Sequence, residues 1–202
     1  KKAKCNDSGY HFVCGLYNQY KGNISKAIKF FNNAMSSTKW SLPAKMCLFS
    51  LLINPDSKFV VFEDKSLSTQ ENFDEARELL KTIDCDELTH KLLYCDLLSS
   101  LNTDESINEA EGIYNELNQK YPNLIPALVG QARCLVKKGQ LTMADTLLSV
   151  VLAGQPFHEN FSYFEEAYLV DAHIIATTTN FAAAHNYVVL ALELDTHCKK
   201  AW

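Results

Sequence analysis

The sequence predicts an all-α fold, an α-solenoid built of antiparallel helix hairpins. Three observations carry that expectation. Small and large residues recur at helical spacing in five segments of the 202-residue chain. The small residue of each second helix falls at Ala27, Ala76, Ala110, Ala144 and Ala184, with two successive gaps of 34. Glycine or proline punctuates several of the breaks between helices. With 47% apolar residues, the chain can also bury a sizeable core.

Helices are expected at 8–21, 24–37, 41–53, 71–83, 86–101, 105–120, 124–138, 141–153, 161–178 and 181–194. In the first pair, Gly15 is followed by Gly22, Ala27, Phe31 and Ala34. The second pair supplies Ala76, Leu80 and Ile83. The third gives Leu98, Ala110, Tyr114 and Leu117, with Asp104 able to cap its second helix. The fourth repeats the first as Ala132, Gly139, Ala144, Leu148 and Val151. The fifth follows as Ala172, Thr179, Ala184, Val188 and Ala191. Small residues suit the close crossing of two helices, and large ones at helical spacing fill the layer between repeats. Gly22 and Gly139 suit the left-handed position that ends a helix.

A 34-residue period of this kind resembles the tetratricopeptide repeat, including its closing proline at Pro122 and Pro156. The resemblance implies a right-handed superhelix. Five hairpins are expected, at 8–40, 41–84, 86–122, 124–156 and 161–196, in one continuous segment. The next repeat would start near 197, with Trp202 in its aromatic slot. Helix 181–194 is apolar nearly all round, so the 202 residues are expected to be a piece of a longer solenoid.

The 54–71 insert interrupts the period. Its "KFVVF" stretch is β-prone, and Phe59 within it is a candidate partner contact, either in a solvated loop or in a strand added to another protein's sheet. A second junction, "GQPFHENFSYFEEA" from Gly154, reads as a packed connection between repeats.

Composition excludes several functions. The net charge is −5, and of 19 basic residues only Arg77 and Arg133 are arginine, which argues against nucleic-acid binding. Seven cysteines form no CxxC pair and are expected to be reduced thiols. No apolar run approaches a membrane span, and "MCLFSLLI" from Met46 reads as a core helix. There is no phosphate loop, no HExxH and no G-x-S-x-G. The neighbours His11 and Cys14, or His197 and Cys198, are expected to be chance pairs in repeat slots. No enzyme, cofactor or metal site is expected.

Binding remains. A groove lined by first helices would present Phe12, Leu16 and Gln19, then Cys95, Ser99 and Asn102, then Val129, Arg133 and Lys137, then Leu169 and His173. Arg133 and Lys137 are expected to form a solvated basic patch. The carboxylate clamp that some tetratricopeptide domains use to grip a chaperone tail needs Lys and Asn where the first repeat has Phe12 and Leu16, so that use is not expected.

Several stretches resemble one family more closely. They are "CGLYNQYKGNISKAIKFFNNA" from Cys14, Trp40, "INPD" from Ile53, "IPALVGQA" from Ile125, "FEEAYLVDAHI" from Phe164 and "HCKKAW" from His197. Their order is similar to the C-terminal half of the tetratricopeptide subunit of intraflagellar transport complex A, the tetratricopeptide repeat protein 21 family. Asp171 departs from that pattern, standing in a usually aliphatic slot. The resemblance implies a non-enzymatic scaffold in cytoplasm and cilium, at axoneme and basal body. Its partners would be the other complex A subunits and ciliary cargo, in retrograde transport and cilium assembly. The alternative is another cytosolic adaptor of such repeats, a ubiquitin-ligase or ciliary cargo-coat subunit.

Overall fold

The computed structural model describes residues 7–54, 70–157, 160–196 and 198. Those residues form ten helices and no strand: α1 (Ser8–Tyr20), α2 (Ile24–Ala34), α3 (Thr38–Ile53), α4 (Gln70–Lys81), α5 (Glu87–Leu101), α6 (Asp104–Lys120), α7 (Ile125–Lys137), α8 (Leu141–Leu152), α9 (Phe161–Thr177) and α10 (Phe181–Leu194). The fold is the expected all-helical α-solenoid, with α1 to α4 and α6 to α10 each packing on their neighbours in sequence. Phe59, the rest of the 54–71 insert beyond its ends, and Trp202 lie outside the described residues.

The chain divides into two compact units, and the division falls inside α5, between Leu93 and Tyr94. In the first, α1 pairs with α2, α2 packs on α3, and α3 on α4. Gly15 makes the α1–α2 crossing possible. A Cβ there would lie 2.5 Å from the Phe31 ring, far inside van der Waals contact. Ala27, Phe31, Ala34, Ala76 and Leu80 are buried around these crossings. The helix α3 begins three residues earlier than the sequence suggested and contains Pro43, whose ring is carried near the helix start.

In the second unit, α6 packs on α7, α7 on α8, α8 on α9, and α9 on α10, with α7 also touching α9. Ala132, Ala144, Leu148, Val151, Ala167 and Val170 are buried along this series. Pro156 sits half-buried in the turn after α8. Gly22 and Gly139 take φ of +74° and +73°, the left-handed turn expected after α1 and α7. Thr179 adopts the same turn after α9, at φ +62°, without glycine's freedom.

One local expectation changes. The cap of α6 is Thr103, one residue before Asp104. Its hydroxyl accepts from the Ser106 N–H while the Ser106 hydroxyl accepts from the Thr103 N–H, and Asp104 and Glu105 form the acidic first turn. On α5 the residue that meets the Ala110 carbonyl is Cys95. The Cys95 thiol lies 3.9 Å from that carbonyl. The helix α6 starts six residues before Ala110, whereas α2 and α8 start three before Ala27 and Ala144.

Candidate interaction surface

With that register, Gly15, Cys95, Ala132 and Ala172 occupy equivalent places on their helices. Asp96 and Arg133 each follow one residue later. The structure turns this row inward. Arg133 is 6% exposed, and its guanidinium ties together three first helices. Nη2 donates to Asp96 Oδ1 on α5 at 2.8 Å, and Nη1 donates to Glu166 Oε1 on α9 at 3.0 Å. The Tyr114 hydroxyl on α6 lies 3.4 Å from Nη2 and 3.5 Å from Asp96 Oδ1. Burial pushes the Asp96 carboxyl up, and the guanidinium pulls it back. Burial likewise lifts the Tyr114 and Tyr163 hydroxyls. Lys137 donates to the Ser99 carbonyl at 2.6 Å, and burial, then the Arg133 charge, brings its ammonium down to about 8.

The expected solvated basic patch is therefore a buried ionic junction. Neighbouring first helices approach closely enough that residues expected to line a groove instead fill the space between helices. Val129, Cys95, Ser99 and Leu169 are buried for the same reason. Cys95 and Cys134 behave as core residues, and burial pushes the Cys95 thiol up to about 12. His173, Gln19 and Asn102 are half-buried. In the first unit Phe12 stacks on Trp40 with ring centroids 5.0 Å apart and packs on Phe31 at 5.9 Å. Leu16 is the one expected groove residue that is openly exposed among those described.

Side chains that the sequence pattern did not single out complete the helix junctions. Between α6 and α7, Gln131 donates to Asn115 at 2.5 Å and accepts from Asn118 at 2.6 Å. Lys138 pairs with Glu111 across the same junction. Tyr114 fills the notch at Gly130, where a Cβ would meet the ring at 2.3 Å. Between α8 and α9, the buried Asp171 carboxyl lies near Asp145, and its Oδ1 has no hydrogen-bond partner. Burial and the Asp145 charge push the Asp171 carboxyl up to about 6. A signal for the ionic junction was present in the sequence. Arg133 lies 33 residues before Glu166 and 37 after Asp96, close to one repeat in each direction.

Among the described residues, no three His, Cys, Asp or Glu side chains gather as metal ligands, and no helix is long and apolar enough to cross a membrane. His11 packs between the rings of Tyr10 and Phe30. The Cys198 thiol donates to Glu165 Oε1 at 2.8 Å, while His197 lies outside the described residues.

Comparison with known proteins follows the same repeats. Residues 1–53 match the family described as the TT21 fifth ARM repeats domain. The chain is 23% identical to mouse tetratricopeptide repeat protein 21A and 22% identical to the Caenorhabditis elegans tetratricopeptide repeat protein 21 homolog, in each case over 97% of its length. The chain is similar to the tetratricopeptide repeat protein 21 family. It spans 16% of the length of those two proteins. Residues 69–161 also match the coatomer epsilon subunit family. The segment is thus built of helices packed in series and is similar in sequence to tetratricopeptide repeat protein 21.

Proposed function

We propose that the chain serves as a non-enzymatic scaffold within intraflagellar transport complex A, in retrograde ciliary transport and cilium assembly. The observation that carries this reading is similarity to tetratricopeptide repeat protein 21 along 97% of the chain. The fold supports it, because stacked hairpins offer long surfaces to other proteins and the described interior is committed to packing. Its partners are then the other complex A subunits and ciliary cargo, and it resides in cytoplasm and cilium, at axoneme and basal body.

The test is affinity purification of the natural protein from ciliated cells, with cargo followed at the ciliary tip. Co-purification of complex A subunits, and tip accumulation on depletion, are the expected results. Match to the coatomer epsilon subunit family over residues 69–161 favours a second reading, a cargo-coat adaptor. Recovery with vesicle-coat subunits and no complex A subunit would select that reading instead.

A further inference from the structure

The helices α1 to α3 carry their charge differently from the rest of the chain. From Ser8 to Asn54 there are five lysines and neither an aspartate nor a glutamate. Outside that stretch, Arg77, Lys81, Lys91, Arg133 and Lys138 each pair with an acidic side chain. Within it, Lys45 donates to the Thr82 carbonyl at 2.6 Å, and Lys21 and Lys39 lie against tyrosine and tryptophan rings. Lys26 and Lys29 of α2 are exposed and meet no carboxylate among the described residues.

The helix α2 is also charged against its own dipole. Its first turn holds Lys26 and no acidic residue. By contrast, α4 and α6 open on Glu71 and on Asp104 and Glu105, and close on Lys81 and Lys120. A cation in the first turn opposes the helix dipole. Lys26 and Lys29, three residues apart on one face, repel each other. Neither arrangement serves the fold, and an anion set across the two ammonium groups offsets both.

The chemistry of the face selects the kind of anion. The exposed positions of α2 are Ser25, Lys26, Lys29, Asn32 and Asn33. Lys26, Lys29 and Asn33 form a stripe at three- and four-residue steps. No apolar side chain is exposed among them to enter a bilayer. The face has no arginine to grip phosphate as a fork and no aromatic ring to stack a base. Ammonium groups beside side-chain amides suit the carboxylates and main chain of a polypeptide.

We infer that the Lys26–Lys29–Asn33 face of α2 docks an acidic segment of a partner protein, a run of aspartate or glutamate side chains spanning the two ammonium groups. The inference rests on the charge pattern and not on the transport reading, so the two fail separately.

The experiment uses the complete natural polypeptide, with a fluorescent oligoglutamate peptide as probe. Binding is followed by anisotropy. A carbodiimide then joins carboxylates to the amines they touch, and the links are mapped by mass spectrometry. The expected results are amide links at Lys26 or Lys29 and binding that disappears in about 1 M salt, where the Debye length is about 3 Å. Lys26→Glu combined with Lys29→Glu should weaken binding at least about tenfold, because both attractions become repulsions. Its melting temperature should be unchanged or raised, since glutamate suits a first turn. Lys120→Glu, at an exposed position of α6, should leave the affinity unchanged. If the double variant melts lower, Lys26→Gln with Lys29→Gln is read in its place and should weaken binding about threefold. No binding, undiminished binding by the double variant that is read, or links confined to lysines outside α2 overturns the inference. So does tighter capture, through the same two lysines, by vesicles of phosphatidylcholine and phosphatidylserine in equal parts.

Discussion

The α6–α7 and α8–α9 junctions have the same register and opposite polar chemistry. At the first, Gln131 sits between two asparagine amides, and Glu111 meets Lys138. One repeat later, the Gln131 position is Asp171, the Glu111 position is Asp145, and the Lys138 position is Thr178. The amide ladder pairs its groups at neutral charge, though Asn118 Oδ1 is left without a partner. The carboxyl pair sets two acids near each other, and burial, then the Asp145 charge, raises the Asp171 carboxyl. The large residue differs too, Tyr114 over Gly130 against Leu148 in the cluster that holds Val170. One helix pattern therefore tolerates different fillings, provided each small residue is matched by a large one across the junction. The repeat specifies where contacts fall, and individual side chains specify which hairpins fit together.

The largest effect should come from Arg133, which joins α7 to the helices on either side. Removing it leaves Asp96 and Glu166 as carboxylates with only partial access to water, at side-chain exposures of 36% and 16%. Arg133→Met should cost about 3 kcal/mol, the lower end for breaking a buried pair because Asp96 keeps some hydration. Chemical denaturation of the purified protein measures this. A loss within about 0.5 kcal/mol, as expected of a surface substitution, would return Arg133 to the solvated patch.

The junctions can also be exchanged. Gly130→Val gives α7 the residue that α9 carries, and should cost about 2 kcal/mol because the Tyr114 ring has nowhere to move. Tyr114→Leu alone should cost a similar amount through the cavity and the lost hydroxyl contacts. Together they recreate the Leu148–Val170 pair, so the double variant should be more stable than the sum of losses predicts by about 1 kcal/mol. Strict additivity in that cycle would show that size matching does not govern the junction.

The carboxyl pair should reveal itself by pH. The folded state holds the Asp171 proton up to about 6, whereas an unfolded aspartate releases it near the ordinary value of 3.8. The folded state thus binds more protons between those values. Stability from this group is full below the ordinary value and is lost as pH rises through about 6. Asp171→Asn removes that slope. At pH 7 it should stabilise the protein by about 1 kcal/mol, with little gain near pH 4. Melting temperatures at both pH values decide it, and a gain of equal size at both would assign the effect to packing.

These comparisons show what a sequence pattern can and cannot carry. Helix positions were legible because apolar spacing, Gly22, Gly139 and the period all point to the same boundaries. Asp171 was legible as a departure because it occupies an aliphatic slot. The inward turn of Arg133 was not. A basic residue on a helix is most often solvated, and its burial depends on Asp96 and Glu166 arriving from helices a full repeat away. The part Cys95 plays in α5 was not legible for a similar reason. The extra turn of α6 moves the crossing to Cys95, and only the packed partner, the Ala110 carbonyl, distinguishes Cys95 from Leu98.

The smallest effect concerns the turns that close the same two repeats. Gly139 after α7 and Thr179 after α9 both lie in the left-handed region, at φ +73° and +62°. A β-branched residue is disfavoured there by roughly 1–2 kcal/mol, because its Cβ crowds the following carbonyl oxygen. Glycine relieves that crowding but gives an unfolded chain with more freedom to lose. The Thr179 hydroxyl contact to the Thr178 carbonyl, at 2.6 Å, is also surrendered. The net gain from Thr179→Gly should be about 0.5 kcal/mol, a rise of one or two degrees in melting temperature for a chain of this size. The reciprocal Gly139→Thr should cost about 1 kcal/mol, since nothing crowds that site and conformation alone is at stake. If Thr179→Gly lowers the melting temperature while Gly139→Thr leaves it unchanged, the two turns are not equivalent, and the strain assigned to Thr179 is relieved by its surroundings.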